Sequence, residues 1–81
     1  MIAATTIVNT IIPQLVNEHK LRLAIDFAER TARSYHLDSD PIRRDFMRVK
    51  ELFDAKDFAK CAEVLTAVTR RLSKMLDEGS V

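Results

Sequence analysis

The sequence predicts an all-α protein, a small helical bundle formed by a single domain over residues 1–81. Three observations indicate this fold class. The chain contains one glycine and two prolines, and long helices need few residues of either type. Apolar residues recur at spacings of three and four along most of the chain. Short aspartate-containing segments separate these periodic stretches and offer helix-capping side chains.

The N-terminal stretch is expected to form an amphipathic helix over about residues 3–16. Polar side chains occupy one side of this helix, and the apolar side is formed by Ala4, Ile7, Val8, Ile11, Ile12 and Leu15. Several β-branched residues weaken its helical propensity, so a strand over residues 5–12 is the competing interpretation. The adjacent apolar pairs break the alternation that a half-buried strand requires, and this favours the helix.

The apolar side changes position within PQLVNEHKLR, residues 13–22. On one continuous helix, at about 100° per residue, the apolar residues before and after this stretch lie on nearly opposite sides. The chain either turns at residues 17–20, so that the first helix folds back onto the core, or continues as one long helix. We favour the turn because Asn17 tolerates left-handed backbone and can cap the next helix.

Three further helices are predicted, over about residues 20–36, 41–54 and 58–78. The first is apolar over more than half its circumference and therefore needs at least two neighbouring helices. Asp40 is the expected cap of the second helix, with Pro41 in its first position. Asp57 is the expected cap of the last helix, which Gly79 ends.

Acidic residues precede basic residues by four positions along the 20–36 segment. This order is the favourable one for ion pairs on a helix surface, because the acid lies nearer the positive end of the helix dipole. The predicted ion pairs are Glu18–Arg22, Asp26–Arg30 and Glu29–Arg33.

No pattern in the sequence is typical of a catalytic, cofactor or metal site. Cys61 is the only cysteine and lies at the edge of an apolar helix side, so a buried, unreactive thiol is expected. His19 and His36 do not combine with Cys61 in a metal-ligand spacing. Since the single glycine is Gly79, a glycine-rich phosphate loop is excluded. We expect no enzyme activity, no cofactor, no metal and no small-molecule substrate.

The charge and hydropathy of the chain indicate which kinds of surface it binds and in which compartment it is expected. The formal net charge of +1 predicts no strong attraction of the whole molecule to nucleic acid or to an anionic membrane. The apolar start has no basic residue ahead of it and is shorter than the roughly 20 residues of a spanning helix. The lone thiol is typical of a reducing compartment, so a cytoplasmic protein is expected.

The first functional hypothesis is a non-enzymatic protein-interaction module, an inhibitor, adaptor or chaperone-like regulator. The six apolar residues near the N-terminus exceed what a small three-helix core should bury, which predicts a homodimer or another protein partner. On the 41–54 helix, Met47 is expected to be exposed among cations, a combination suited to docking. The predicted partner-binding residues are Ile7, Val8, Ile11, Ile12, Leu15, Arg43, Arg44, Met47 and Arg48.

The alternative hypothesis is a dimeric nucleic-acid-binding transcriptional regulator that uses basic helix faces. A second basic set on the last helix, Arg70, Arg71 and Lys74, would extend such a surface. In one arrangement a helical hairpin dimer lays its basic faces on a duplex. In the other, N-terminal strands pair in a dimer above two helices. In that respect the β-branched start followed by helices resembles the ribbon-helix-helix repressors. The sequence lacks a glycine at the inter-helix turn and has little surplus positive charge.

Overall fold

In the computed structural model, which describes residues 3–79, the chain forms four helices joined by short loops. The first, α1, is continuous and consists of Ala4–Thr6, Ile7–Ile11 and Ile12–Asn17. The others are α2, Leu21–Ser34, α3, Asp40–Asp54, and α4, Phe58–Gly79. The predicted all-α fold is confirmed. The strand interpretation is wrong, because residues 5–12 are helical.

The loops are short, so consecutive helices run antiparallel. Helix α4 contacts each of the other three helices, and α2 contacts α1, α3 and α4. The radius of gyration is 11.8 Å, about the value expected for a compact chain of this length, so α1 does not project as an extended rod. Within the described part of the chain, no helix has both the length and the apolar character needed to cross a membrane.

The predicted turn between α1 and α2 is confirmed, but its left-handed residue differs from the expected one. His19 has φ 61° and takes the left-handed position that follows a helix. The backbone N–H of Lys20 donates to the carbonyl of Leu15 at 2.8 Å, and that of His19 donates to Val16 at 3.1 Å. These bonds satisfy the last carbonyls of α1. The side chain of Asn17 does not cap α2, since Lys20 precedes that helix without a side-chain cap.

Glu18 stabilises the same turn through exposed polar contacts. Its carboxylate accepts a hydrogen bond from Nε2 of Gln14 at 3.0 Å and lies 3.1 Å from Nζ of Lys20. The hydrogen bond from Gln14, followed by the contact with Lys20, lowers the pKa of Glu18. A lowered carboxyl pKa stabilises the folded protein at neutral pH, and this contribution is lost as the pH falls through that pKa. Lys20 therefore takes the place predicted for Arg22.

The other two loops repeat the left-handed geometry. His36 has φ 58° and Lys56 has φ 62°. The N–H of Leu37 donates to Ala32 at 2.7 Å, and the N–H of Asp57 donates to Leu52 at 3.0 Å. A left-handed position costs a residue with a Cβ about 1–2 kcal/mol relative to right-handed backbone. None of the three loops uses the glycine that would remove this cost.

The caps of α3 and α4 are partly as predicted. Ser39 precedes α3 with extended backbone, so Asp40 is the first helical residue and not the cap. Its carboxylate still lies in the first turn, where the helix dipole favours negative charge. Oδ1 of Asp57 accepts a hydrogen bond from the N–H of Lys60 at 3.4 Å, so the predicted cap of α4 is confirmed.

Helix α1 contributes to the core of its own chain. Val8 is 0% and Ile12 is 1% exposed, and both belong to the buried cluster that includes Leu65 and Leu72 of α4. The expectation that the chain cannot bury the apolar face of α1 is therefore wrong for these two residues and for Ala4, and the partly buried Ile7 and Leu15 pack against the same cluster. Folding back at residues 18–20 brings that face onto α2 and α4.

A wide turn of α1 keeps its core residues aligned. Between Ile7 and Ile11 the helix has π geometry, and the N–H of Ile12 donates to the carbonyl of Ile7. In an α-helix, residues spaced by four drift about 40° per step around the axis. A π turn holds more residues, which opposes the drift of Ala4, Val8 and Ile12 away from the core. It also lies next to Pro13, which has no N–H to donate.

Helix α2 faces the core with a row of small side chains. Ala24, Ala28 and Ala32 recur every four residues and are at most 1% exposed. Because each side chain is a single methyl group, α4 can approach α2 closely across the bundle. The principal extents of the molecule are 39 × 26 × 16 Å.

The left-handed loop residues predict a stabilising substitution. Lys56→Gly removes the steric cost of the left-handed conformation, and the greater flexibility of unfolded glycine offsets part of the gain. We expect the free energy of unfolding, measured in urea, to rise by about 0.5–1 kcal/mol. Ala55→Gly is the matched control, because Ala55 is right-handed at φ −77°, and should lower stability instead. Equal effects of the two changes would contradict the assignment.

The position of Ile12 in the core predicts a second stability effect. Ile12→Val removes one buried methyl group and should lower the free energy of unfolding by roughly 0.5–1.5 kcal/mol. The exposed neighbour Thr10 is the control, and Thr10→Ala should change stability by less than about 0.5 kcal/mol. Urea unfolding followed by circular dichroism measures both. A neutral effect of Ile12→Val would show that α1 does not pack as described.

Candidate partner-binding surface

All of the predicted partner-binding residues on α3 are exposed, but their side chains point in two different directions. Arg43, Met47 and Lys50, at positions i, i+4 and i+7, line a groove between α2 and α3. Arg48 lines a different groove, between α3 and α4. Arg44 is exposed and lies one helical turn before Arg48. The predicted basic side of α3 therefore consists of two rows of side chains.

The groove between α2 and α3, called here the α2–α3 groove, has an apolar part. Ala32 of α2 and Phe46 of α3 line it and are buried, at 1% and 4% exposed. Met47 also lines it and is 61% exposed, the largest fraction among the exposed large apolar side chains. The predicted exposure of Met47 is confirmed. A flexible thioether side chain beside a groove is suited to contact with another molecule.

Charged side chains surround this apolar part. The carboxylate of Glu29 lies 2.8 Å from Nζ of Lys50 and 3.7 Å from the guanidinium of Arg33. Asp38 lies 3.5 Å from the guanidinium of Arg43. The predicted Glu29–Arg33 ion pair is confirmed, and Glu29 also joins α2 to α3. Three cations thus line the groove with only two carboxylates.

The predicted partner-binding residues of α1 are less accessible. Val8 and Ile12 are in the core, at 0% and 1% exposed, although both also line a groove between α1 and α4. Ile7, Ile11 and Leu15 are partly buried. They form a second row along α1, beside the buried residues.

The second basic set does not form a single face. Arg71 of α4 turns towards α3, where its guanidinium contacts the carboxylate of Asp45 at 2.6 Å. Arg70 lines a groove between α1 and α4 instead. Their direction could not be read from the sequence, because it depends on which neighbours α4 acquires.

Exposed apolar side chains also occur at the end of the bundle that holds loops 18–20 and 55–57. Phe58 is 48% and Leu23 is 45% exposed, and both line a shallow groove with Phe53. The rings of Phe53 and Phe58 make an edge-to-face contact with centroids 5.5 Å apart. Phe58 begins α4 at the end of the bundle, where the other helices cover it only partly.

The single thiol is buried and unsuited to reaction. Cys61 is 0% exposed, and its Sγ–H donates to the carbonyl of Val49 at 3.4 Å. Burial, and secondarily the charge of Asp57, raises the pKa of the Cys61 thiol. Less of the reactive thiolate is therefore present at a given pH. Among residues 3–79, no group of three histidine, cysteine or acidic side chains is placed to hold a metal ion.

Comparison with known proteins finds no matching family model, no matching curated protein and no matching solved structure.

The environment of Cys61 predicts slow modification. We expect a disulfide reagent to react with the native protein roughly 100-fold more slowly than with the urea-unfolded protein. The reason is that access requires opening of the core, at about 3 kcal/mol for a domain of this size. Absorbance of the released thiolate measures both rates. Equal rates would place Cys61 at the surface.

Proposed function

We propose that the protein is a non-enzymatic protein-interaction module, a regulator of the inhibitor, adaptor or chaperone-like kind. It binds its partner through the exposed side of α3, with Met47 as the apolar contact and Arg43, Arg44 and Arg48 as the charged rim. The proposed compartment is the cytoplasm, in keeping with a single free thiol.

The observation that carries this proposal is the exposure of Met47 among cations. Met47 is 61% exposed and adds little to its own core. Arg44 and Arg48 are like charges one helical turn apart, an arrangement that destabilises a helix by about 0.2–0.5 kcal/mol. Within residues 3–79 neither guanidinium has an ion-pair partner. Folding does not explain this combination, whereas contact with an acidic, partly apolar protein surface does.

Nucleic-acid binding is the alternative function. The exposed arginines of α3 favour it, because phosphate groups bind guanidinium groups well. Against it, Arg43, Arg48 and Arg70 line three different grooves, two of which also contain carboxylates. A duplex backbone needs cations along one continuous surface.

A homodimer is the alternative to a different protein partner. The row of Ile7, Ile11 and Leu15 is partly exposed and offers an apolar strip along α1. A second copy packed on this strip would bury it, and the molecular mass in solution would then double.

Photocrosslinking tests the proposed surface. The photoreactive residue benzoylphenylalanine is placed at position 47, and at the exposed position 10 on α1 as the control. In the native cell we expect a specific protein adduct from position 47 only, because position 10 lies on another helix. Replacing Arg43, Arg44 and Arg48 by alanine in the position-47 protein should reduce the adduct at least about tenfold, as expected for loss of a charged rim.

The crosslinked species distinguishes the alternatives. An adduct to nucleic acid, with affinity for a DNA duplex that falls steeply as salt increases, would support the alternative function. An adduct to a second copy of the chain would identify a homodimer. No difference between positions 47 and 10 would overturn the assignment of the surface to α3.

A further inference from the structure

We propose that the α2–α3 groove binds an acidic amphipathic helix of a partner protein, with an apolar residue of that helix packed on Met47. This inference rests on the proposed function and adds the chemistry of the partner.

The shape of the groove suits a helix. It lies between two antiparallel helices, and its α3 wall extends from Arg43 to Lys50, about 10 Å at 1.5 Å per residue. Two turns of an incoming helix cover this distance, and they present apolar residues at i, i+3, i+4 and i+7. Met47 lies midway along the wall, where it can contact the central apolar residues of such a helix.

The charges at the groove indicate that the incoming helix is acidic. The side chains of Arg33 and Arg43 are 72% and 66% exposed, and their ion pairs are long, at 3.7 and 3.5 Å. Ordinary hydrogen bonds of this kind measure about 2.7–3.2 Å, so both guanidinium groups retain donors for another carboxylate. Within residues 3–79, Glu29 is the one carboxylate that pairs with Arg33, and Glu29 also pairs with Lys50.

The same groove is poorly suited to a nucleic acid. Glu29 and Asp38 line it together with the three cations. A phosphate backbone carries negative charge at every step, so it would pass close to these carboxylates. A helix can place its acidic side chains opposite Arg33 and Arg43 and uncharged residues opposite Glu29 and Asp38.

Peptide binding to the full-length protein tests this inference. The probe is a fluorescein-labelled helical peptide with leucines at i, i+3, i+4 and i+7 flanked by glutamates; the matched peptide has lysines in place of the glutamates. Fluorescence anisotropy should show saturable binding of the acidic peptide with Kd below about 1 mM, and at least tenfold weaker binding of the basic peptide. Met47→Ala and the double change Arg33→Glu with Arg43→Glu should each weaken binding about tenfold. Arg70→Glu, in the groove between α1 and α4, should leave it unchanged.

Methyl NMR provides a second readout. The Met47 methyl signal should shift on addition of the acidic peptide, whereas the methyl of Met75, partly buried on α4, should not. Absence of saturable binding, equal binding of both peptides, or shifts at Met75 without Met47 would each overturn the inference. If position 47 still crosslinks to a protein in that case, the partner chemistry is wrong and the proposed function stands. If neither assay responds, both are wrong.

Discussion

The reversal of the chain between α1 and α2 is the constraint on which the rest of the structure depends. His19 must adopt left-handed backbone there, at a cost of about 1–2 kcal/mol. In return Val8 and Ile12 reach the core, and each fully buried side chain of this size contributes about 1.5–3 kcal/mol. Burial therefore exceeds the local cost. The turn forms without glycine, and α1 becomes the fourth helix of one bundle.

The packing of α1 on the bundle determines which surfaces remain exposed. Helix α1 packs on α2 and α4, so the two rows of apolar residues on either side of the reversal serve the same core. In the described range, residues 3–79, no helix lies over the outer edge between α2 and α3, where Met47 remains 61% exposed. That edge instead carries three ion pairs, of which Lys50–Glu29 at 2.8 Å joins the two helices. The proposed partner-binding surface is therefore on α3 and not on α1.

Sequence periodicity was sufficient to predict the helices and their approximate ends. The Asp57 cap, the buried thiol of Cys61 and the exposure of Met47 all follow from residues close together in the chain. The left-handed role of His19 was not predictable, because residue preference favours asparagine or glycine there and tertiary packing overrides it. Nor could local pattern show that Glu29 of α2 pairs with Lys50 of α3. That pairing depends on how the helices are rotated against each other.

The left-handed loop residues suggest how partner binding and the net folding stability are connected in a chain of this size. Three left-handed residues without glycine each oppose folding by about 1–2 kcal/mol, in a domain whose single core leaves a net stability of only about 3–5 kcal/mol. A partner that binds only the folded state adds a stabilisation of RT ln(1 + [L]/Kd), about 2.7 kcal/mol at a hundredfold excess over Kd. Occupation of the α2–α3 groove would hold α2 against α3, the two helices that the loop containing His36 joins. Binding in this groove would therefore stabilise the whole bundle as well as the complex.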